Sequence, residues 1–341
     1  MTSRERVLCA IAHNEPDRLP RDFDAKPEKL SAMTAELSLT EAQIREKFRC
    51  DMDRVWLRYN SPYADGRNIW GMQFAKTDTP IAVSAHPLAH AQTIADVEAH
   101  AWPQAGWADV ARAKSEAEAS RKAGRAVACS SWGSIFGESY RLMGMDNFMM
   151  AMAINEAVAE SVVAHVTDYF PEVDRRLFTE CRGLIDLSFH GNDFGTQRSL
   201  LFSREMFRRF FAPNIRRLAD QAHSFGLKTM YHSCGAVREV IPDLIDCGVD
   251  VLDPIQATAD GMEASGLKRD FGARLTFHGG VSTQGVLPFG TPGDVRAEVK
   301  RLCGIMRAGG GYIFAPDQGI SEDTPTANIL AMYDALDELG W

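Results

Sequence analysis

The sequence predicts one α/β domain of the (β/α)8 TIM-barrel type, and three observations carry that expectation. At 341 residues the chain has the length of one such barrel, in which each strand–helix unit takes a few tens of residues. Short apolar runs alternate with longer amphipathic segments, the pattern of a parallel sheet. Several of those runs are continuously apolar, as strands buried on both faces are. A doubly wound open sheet is the alternative arrangement of the same elements.

The strand candidates, in order, are Leu19–Phe23, Arg54–Leu57, Ala126–Ser130, Leu184–Phe189, Lys228–His232, Val249–Asp253, Arg274–His278 and Gly311–Ala315. Helices are expected between most of them. Arg204–Phe225 places Phe207, Phe210, Phe211, Ile215 and Leu218 near helical spacing, with Ser203 as N-cap and Gly226 just past the end. Val237–Cys247 and Pro292–Ala308 are further helical segments. Gly309-Gly310-Gly311 precedes a strand, so it reads as a helix-ending loop and not as a phosphate cradle. Two stretches fall outside the repeat: a helical excursion at about 29–49, and about 61–103, where Asn68-Ile69-Trp70-Gly71-Met72 suggests a short hairpin. Both read as additions to a single domain over residues 1–341.

Composition narrows the function. The formal net charge is −9 and the basic residues are scattered, which argues against a nucleic-acid surface. The seven cysteines are odd in number and contain no CxxC pair, so a reducing, cytoplasmic setting is expected. No signal-peptide pattern follows the N-terminus, and no stretch is apolar enough to span a membrane. GxSxG, HExxH, Walker A and strand-following GxGxxG patterns are absent, as is the Asp-x-His-x-x-Gly run of corrinoid carriers.

In a barrel, reactive side chains gather where strands end. The sharpest group there is His232-Ser233-Cys234-Gly235. Side chains at i and i+2 of a strand share a face, so an imidazole and a thiolate can grip one borderline metal, zinc being the natural candidate. Gly235 lets the chain turn closely beneath them. A buried His beside a core Cys is the bland alternative. Asp24, Trp132, Asn192, Gln256, His278 and Asp317 follow other strands and are candidate substrate contacts. Asp193 is a candidate catalytic carboxylate, or only a structural one. Asp253-Pro254 reads as turn chemistry, and Cys129 and Cys303 as core.

These residues resemble the uroporphyrinogen decarboxylase superfamily, which also contains zinc-dependent methyltransferases. The likeness begins at Arg4-Glu5-Arg6-Val7-Leu8 and Pro16-Asp17-Arg18-Leu19-Pro20. It is clearest in Asp193-Phe194-Gly195-Thr196-Gln197, Tyr231-His232-Ser233-Cys234-Gly235 and Phe277-His278-Gly279-Gly280-Val281, and it closes with Gly310-Gly311-Tyr312-Ile313 and Asp323-Thr324-Pro325. Gln197 joins the candidate substrate contacts within that motif. The resemblance implies a (β/α)8 barrel. True decarboxylases carry arginines after the first strand for substrate carboxylates, whereas here the stretch is Asp22-Phe23-Asp24-Ala25-Lys26-Pro27, so the methyltransferase branch is the nearer likeness.

That branch implies zinc held by His232, Cys234 and a later Cys before a Gly-Ile pair. Gln318 stands at the later position, in Pro316-Asp317-Gln318-Gly319-Ile320. It is taken as the third metal residue, with Asp317, Asp193 and Glu138 as other donors. A neutral ligand in place of a thiolate leaves the site one unit more positive and favours an anionic or oxygen-bearing substrate. The function expected is methyl transfer between a small donor or acceptor and a corrinoid carried by a separate protein. The alternatives are a decarboxylating lyase of a small acid, with Asp193 or Asp24 as acid–base group and His232 orienting substrate, and a ligand-binding barrel that has lost its metal.

Overall fold

The computed structural model describes residues 1–75 and 83–340. Its centre is a seven-stranded sheet. The strands are β1 Met52–Arg54, β2 Ala126–Ala128, β3 Leu187–Gly191, β4 Lys228–His232, β5 Val251–Asp253, β6 Thr276–His278 and β7 Tyr312–Ile313. Each pairs in parallel with the next. β2, β3, β5, β6 and β7 are buried along their whole length, because helical crossovers cover the outer face while the inner face is packed. That is why β2 and β7 run apolar without alternation, while β3 and β6 bury Ser188, His190, Thr276 and His278 among their apolar residues.

Two strands differ from the expectation. Leu19–Phe23 forms only a single bridge, Arg21 to Phe314. The Asp22 N–H donates to the Phe314 carbonyl at 2.8 Å, and the Asp51 N–H donates to the Arg21 carbonyl on the other side at 2.7 Å. Pro20 has no N–H to extend the ladder. The second strand lies earlier than expected, at Met52–Arg54. Its charged neighbours hid it: Asp51 is fully buried yet paired with Arg6 and Arg18, whereas Trp56, which the hydrophobic pattern favoured, is 51% exposed.

The helices follow local chemistry. Thr2 and Glu5 form a capping box on Ser3–Ile11, as Thr291 and Asp294 do on Pro292–Met306. Ser203 Oγ accepts the Met206 N–H at 3.2 Å, and Gly226 ends that segment with φ +77°. The segment is not one α-helix: Phe207–Phe211 widens into a π-turn before Ala212–Ser224. Pro213 has no N–H to give the carbonyl four residues back, so the ladder loosens there. Val237–Cys247 likewise begins with a 3₁₀ turn, Arg238–Val240, before Ile241–Asp246. The excursion near 29–49 holds helices Pro27–Leu37 and Glu41–Lys47. In the second excursion, Asn68–Gly71 makes a turn leading into an antiparallel pair, Gln73–Phe74 with Val83–Ala85; residues 76–82 of that excursion lie outside the described residues. Among the described residues no helix is long and apolar enough to cross a membrane.

The sheet encloses its own small core. Val7 and Ile11 of helix Ser3–Ile11 pack with Met52, Ala126, Leu187, Phe189, Met230, Val251 and Ile313. The helix thus fills the N-terminal end of the sheet. With a side-chain period of two, the next inward positions toward the C-terminal end are Arg54, Gly191, His232, Asp253 and His278. They form a polar layer above an apolar one.

Candidate metal centre

The polar layer is held together by charge. β4 and β5 are in register with His232 beside Asp253. Asp253 Oδ2 lies 2.6 Å from His232 Nδ1, and Oδ1 lies 2.6 Å from His278 Nδ1. His278 Nε2 is 3.2 Å from Asp22. Arg54 reaches Asp22 at 3.0 Å, Asp24 at 3.1 Å and Asp253 at 3.6 Å. Burial opposes ionisation of Asp253, but Arg54, His278 and His232 outweigh it and hold the carboxyl well below the usual range.

The other face of His232 meets the reactive donors. Nε2 is 3.0 Å from Cys234 Sγ and 3.4 Å from Asp193 Oδ1. Asp193 also accepts the Cys234 backbone N–H at 3.0 Å. Gln318 turns the nitrogen side of its amide to the site, Nε2 donating to Cys234 Sγ at 2.5 Å. Burial works against a charge on His232, yet Cys234, Asp193 and Asp253 around it win and raise its pKa well above that of an ordinary imidazole. Burial raises the Cys234 thiol, with His232 pulling the other way. Asp193 is held low because His232 outweighs its burial.

One ligand atom each from Asp193, His232 and Cys234 lies within 4.8 Å of the others. Tetrahedral zinc with the usual N, O and S bond lengths needs ligand–ligand edges of about 3.3–3.7 Å, so the donor set fits that ion with small adjustments. Asp253 on Nδ1 fixes which imidazole nitrogen faces the donors, the arrangement metal-bound histidines use.

Backbone requirements hold this geometry. Gly191 is needed because a Cβ there would stand 2.5 Å from the Trp132 ring and 2.9 Å from His232 Cβ. Trp132, itself at φ +72°, therefore lies over β3 with its ring centroid 5.6 Å from that of His232. At Gly235, φ +84°, a Cβ would meet the Thr196 carbonyl at 2.5 Å. Gln256 Oε1 accepts the Gly235 N–H at 2.7 Å and holds this turn. A cavity of about 220 Å³ opens beside Asp193 and His232, lined also by Trp132, Tyr140, Arg141 and Met145.

The remaining expected residues are placed as follows. Asn192 lines that cavity, but its side chain is committed: Oδ1 accepts the Phe136 and Gly137 N–H groups at 2.7 and 3.1 Å, and Nδ2 donates to Tyr231 at 2.8 Å. His278 and Asp24 belong to the charged layer. Asp317 is buried and turned toward Thr283, whose N–H and hydroxyl it accepts at 2.8 and 2.7 Å. Gln197 is on the surface against Gln284. Glu138 lines a separate cavity beyond Trp132. Arg54 and Asp22 join the site without having been singled out, and Asp253, which read as turn chemistry, joins it too. The signal for Asp253 was available: three successive strands end Tyr-His, Leu-Asp and Phe-His, each with an ionisable residue at one level.

A parallel α/β sheet with its polar layer at the C-terminal end, facing a His-x-Cys pair, is the scaffold on which α/β enzymes place their sites. The family model described as uroporphyrinogen decarboxylase (URO-D) matches residues 71–339, and the chain belongs to that family. Among individual relatives, two methylcobamide:CoM methyltransferases MtaA of Methanosarcina barkeri are 30% identical over 138 residues, which is 40% of this chain and 38% of each relative. The match thus spans well under half of the relatives' length. A solved methyltransferase from Methanosarcina mazei superposes with a TM-score of 0.72 at 20% identity over 99% of both chains. That likeness shows the fold.

Proposed function

We propose that this chain is a methyltransferase of the URO-D family, passing a methyl group between a small substrate or acceptor and a corrinoid held by a separate protein, with zinc at the site. The observation that carries the reading is the meeting of Asp193, His232, Cys234 and Gln318 at one point; the MtaA relatives give it direction. His232 and Cys234 would hold the ion with Asp193 as the further donor, and Gln318 would join them through its amide oxygen once the amide, now with Nε2 toward Cys234 Sγ, is turned over. Bound zinc would keep a substrate heteroatom in its anionic or activated form near neutral pH.

The chain's own residues do the rest. Asp253, on Nδ1 at 2.6 Å, would leave Nε2 as the nitrogen that gives up its proton to bind the ion. Trp132 and Gly191 close one wall and keep water from it, while Arg141 and Tyr140 border the adjoining cavity. Methyl transfer is substitution at carbon: the acceptor's lone pair forms the new bond as the pair of the old bond leaves with the donor atom. No acid–base residue has to move a proton at carbon, which suits a layer whose carboxylates are already engaged. A decarboxylating lyase has less support, since Arg54 is taken up by Asp22, Asp24 and Asp253.

On this reading the sheet closes into an eight-membered ring through Arg21, bridged to Phe314 and accepting from Asp51, and the whole chain is one domain. The test is zinc content together with methyl transfer from free methylcobalamin to an added small thiol, followed by the corrinoid absorbance. One zinc per chain and demethylation in the wild type, both lost in Cys234→Ala, is the expected result. A wild type purified without chelator that holds no metal and leaves methylcobalamin intact overturns the proposal.

A further inference from the structure

On the far side of Trp132 lies a second cavity, of about 240 Å³. Five aromatic side chains wall it: Tyr59, Trp70, Trp132, Tyr169 and Phe170. The carboxylate of Glu138 lines it too, and among the described residues no Lys, Arg or His lines it. Glu138 is 15% exposed and is paired with Arg141 at 3.3 Å, a residue that lines the neighbouring cavity instead. The Tyr169 hydroxyl is buried without a hydrogen-bond partner among the described residues.

This lining has a chemical preference. Aromatic faces are the negative pole of the ring quadrupole, and several of them around one carboxylate attract a cation. The cation must also shed its water to enter an apolar chamber. A bare ammonium, with its donors strongly hydrated, resists that; an alkylated ammonium spreads its charge over methyl groups and gives up little hydration. An anion would meet Glu138 without a counter-charge. A neutral apolar body would fill the space but leave Glu138 with Arg141 as its one ionic partner. Burial already raises the Glu138 pKa, with Arg141 offsetting it in part, so a second positive neighbour is favourable there.

We propose that the cavity between Trp70, Trp132, Tyr169 and Glu138 is a binding site for a small methylated ammonium group. That this ligand serves as methyl donor or product rests on the methyl-transfer reading; its binding does not. Trp132 lines both cavities, so a ligand seated here lies beside the one that opens on His232.

The experiment is calorimetric titration of tetramethylammonium into the full chain at fixed ionic strength, with tert-butanol as a neutral probe of similar shape. Quenching of tryptophan fluorescence reports entry near Trp70 and Trp132. Saturable tetramethylammonium binding is expected, at least tenfold tighter than tert-butanol, weakened tenfold or more in Glu138→Gln and largely kept in Glu138→Asp. Absent binding to the wild type, equal binding of the two probes, or a folded Glu138→Gln variant that binds as the wild type does overturns the proposal. If Glu138→Gln does not fold, the comparison of the two probes on the wild type decides. Zinc content and methylcobalamin consumption are read on the same preparation, so a failure of ammonium binding is distinguishable from a failure of methyl transfer.

Discussion

Replacing Asp253 with Asn isolates the charge of one buried carboxylate while keeping its shape. The Asn oxygen can still accept from His232 Nδ1, now 2.6 Å away. What is lost is the anion shared by His232, His278 and Arg54, and the new amide NH₂ faces His278 Nδ1, where Oδ1 stood at 2.6 Å. Partners of this kind behind a metal-bound His are worth about 10–100-fold in metal affinity, which is about 1.4–2.7 kcal/mol. The effect on folding is smaller than the ~3–5 kcal/mol of a broken buried ion pair, because Arg54 keeps Asp22 and Asp24 at 3.0 and 3.1 Å and loses only its longest contact, 3.6 Å. Competition against a chromogenic zinc chelator should therefore show Asp253→Asn weakened by at least tenfold, with a modest drop in thermal midpoint. In a His232→Ala background the same substitution should have little further effect on zinc, since the two act as a unit. A folded Asp253→Asn protein within threefold of wild-type zinc affinity would refute the argument that Asp253 orients His232 for a metal.

Three further outcomes are expected. Gln318→Cys, which puts a thiolate beside Cys234, should tighten zinc binding in the same competition assay and lower turnover; unchanged affinity and activity would mean that Gln318 serves only its own loop. Asp174→Asn should remove a pH slope in stability. Burial raises the Asp174 carboxyl from 3.8 to about 7, against the Ser131 N–H it accepts, so the folded chain keeps a proton the unfolded chain has lost. Stability from this group thus falls as pH rises between about 4 and 7, by at most ~4 kcal/mol. His190, lowered from 6.5 to about 3 by burial, acts in the opposite direction over most of that window, and its Nε2 lies 3.9 Å from Asp174, so the comparison is made at pH 8, above both groups' ranges. Denaturant unfolding against pH should show Asp174→Asn more stable than wild type at pH 8; equal stability there contradicts the assignment. Finally, the protein should not convert uroporphyrinogen to coproporphyrinogen, because Asp22 and Asp24 stand on Arg54 where the decarboxylases present arginines, and efficient conversion in an assay would refute this.

The sequence made the fold class and the central pair readable for the same reason. Parallel strands buried on both faces are written as short, mostly apolar runs, and an ionisable residue at the end of one, just before a Gly turn, is conspicuous, as His232 is after Met230-Tyr231 and before Gly235. Where charge satisfied charge inside the fold, the pattern went dark. Met52–Arg54 was missed because Asp51, Asp53 and Arg54 look like surface, although Asp51 is fully buried between Arg6 and Arg18. Asp253 was read as turn chemistry because a single sequence does not show strand register, and it is register that sets it against His232. Gln256 and Asn192 were found by position, but their side chains hold backbone in place, Gln256 at Gly235 and Asn192 at the start of helix Ile135–Met143. The cavity beyond Trp132 draws its walls from residues 59–70, 131–138 and 169–170, and no local window contains that combination.

Placing Asp193 at the donors changes the electrostatic argument about Gln318. Counting Gln318 alone, a neutral amide in place of a thiolate leaves a dication one unit less compensated. With Asp193 3.4 Å from His232 Nε2 and its oxygen on the Cys234 N–H, the carboxylate returns that unit: one thiolate and one carboxylate balance a dication as two thiolates do. What differs is softness. A carboxylate donates less electron density than sulfur, so a zinc held here would be the stronger Lewis acid at the same net charge. A more acidic ion at unchanged charge gains most with hard oxygen or nitrogen atoms and gives no special preference to anions. The aromatic cavity across Trp132, with Glu138 as its lining carboxylate, points toward nitrogen of the two.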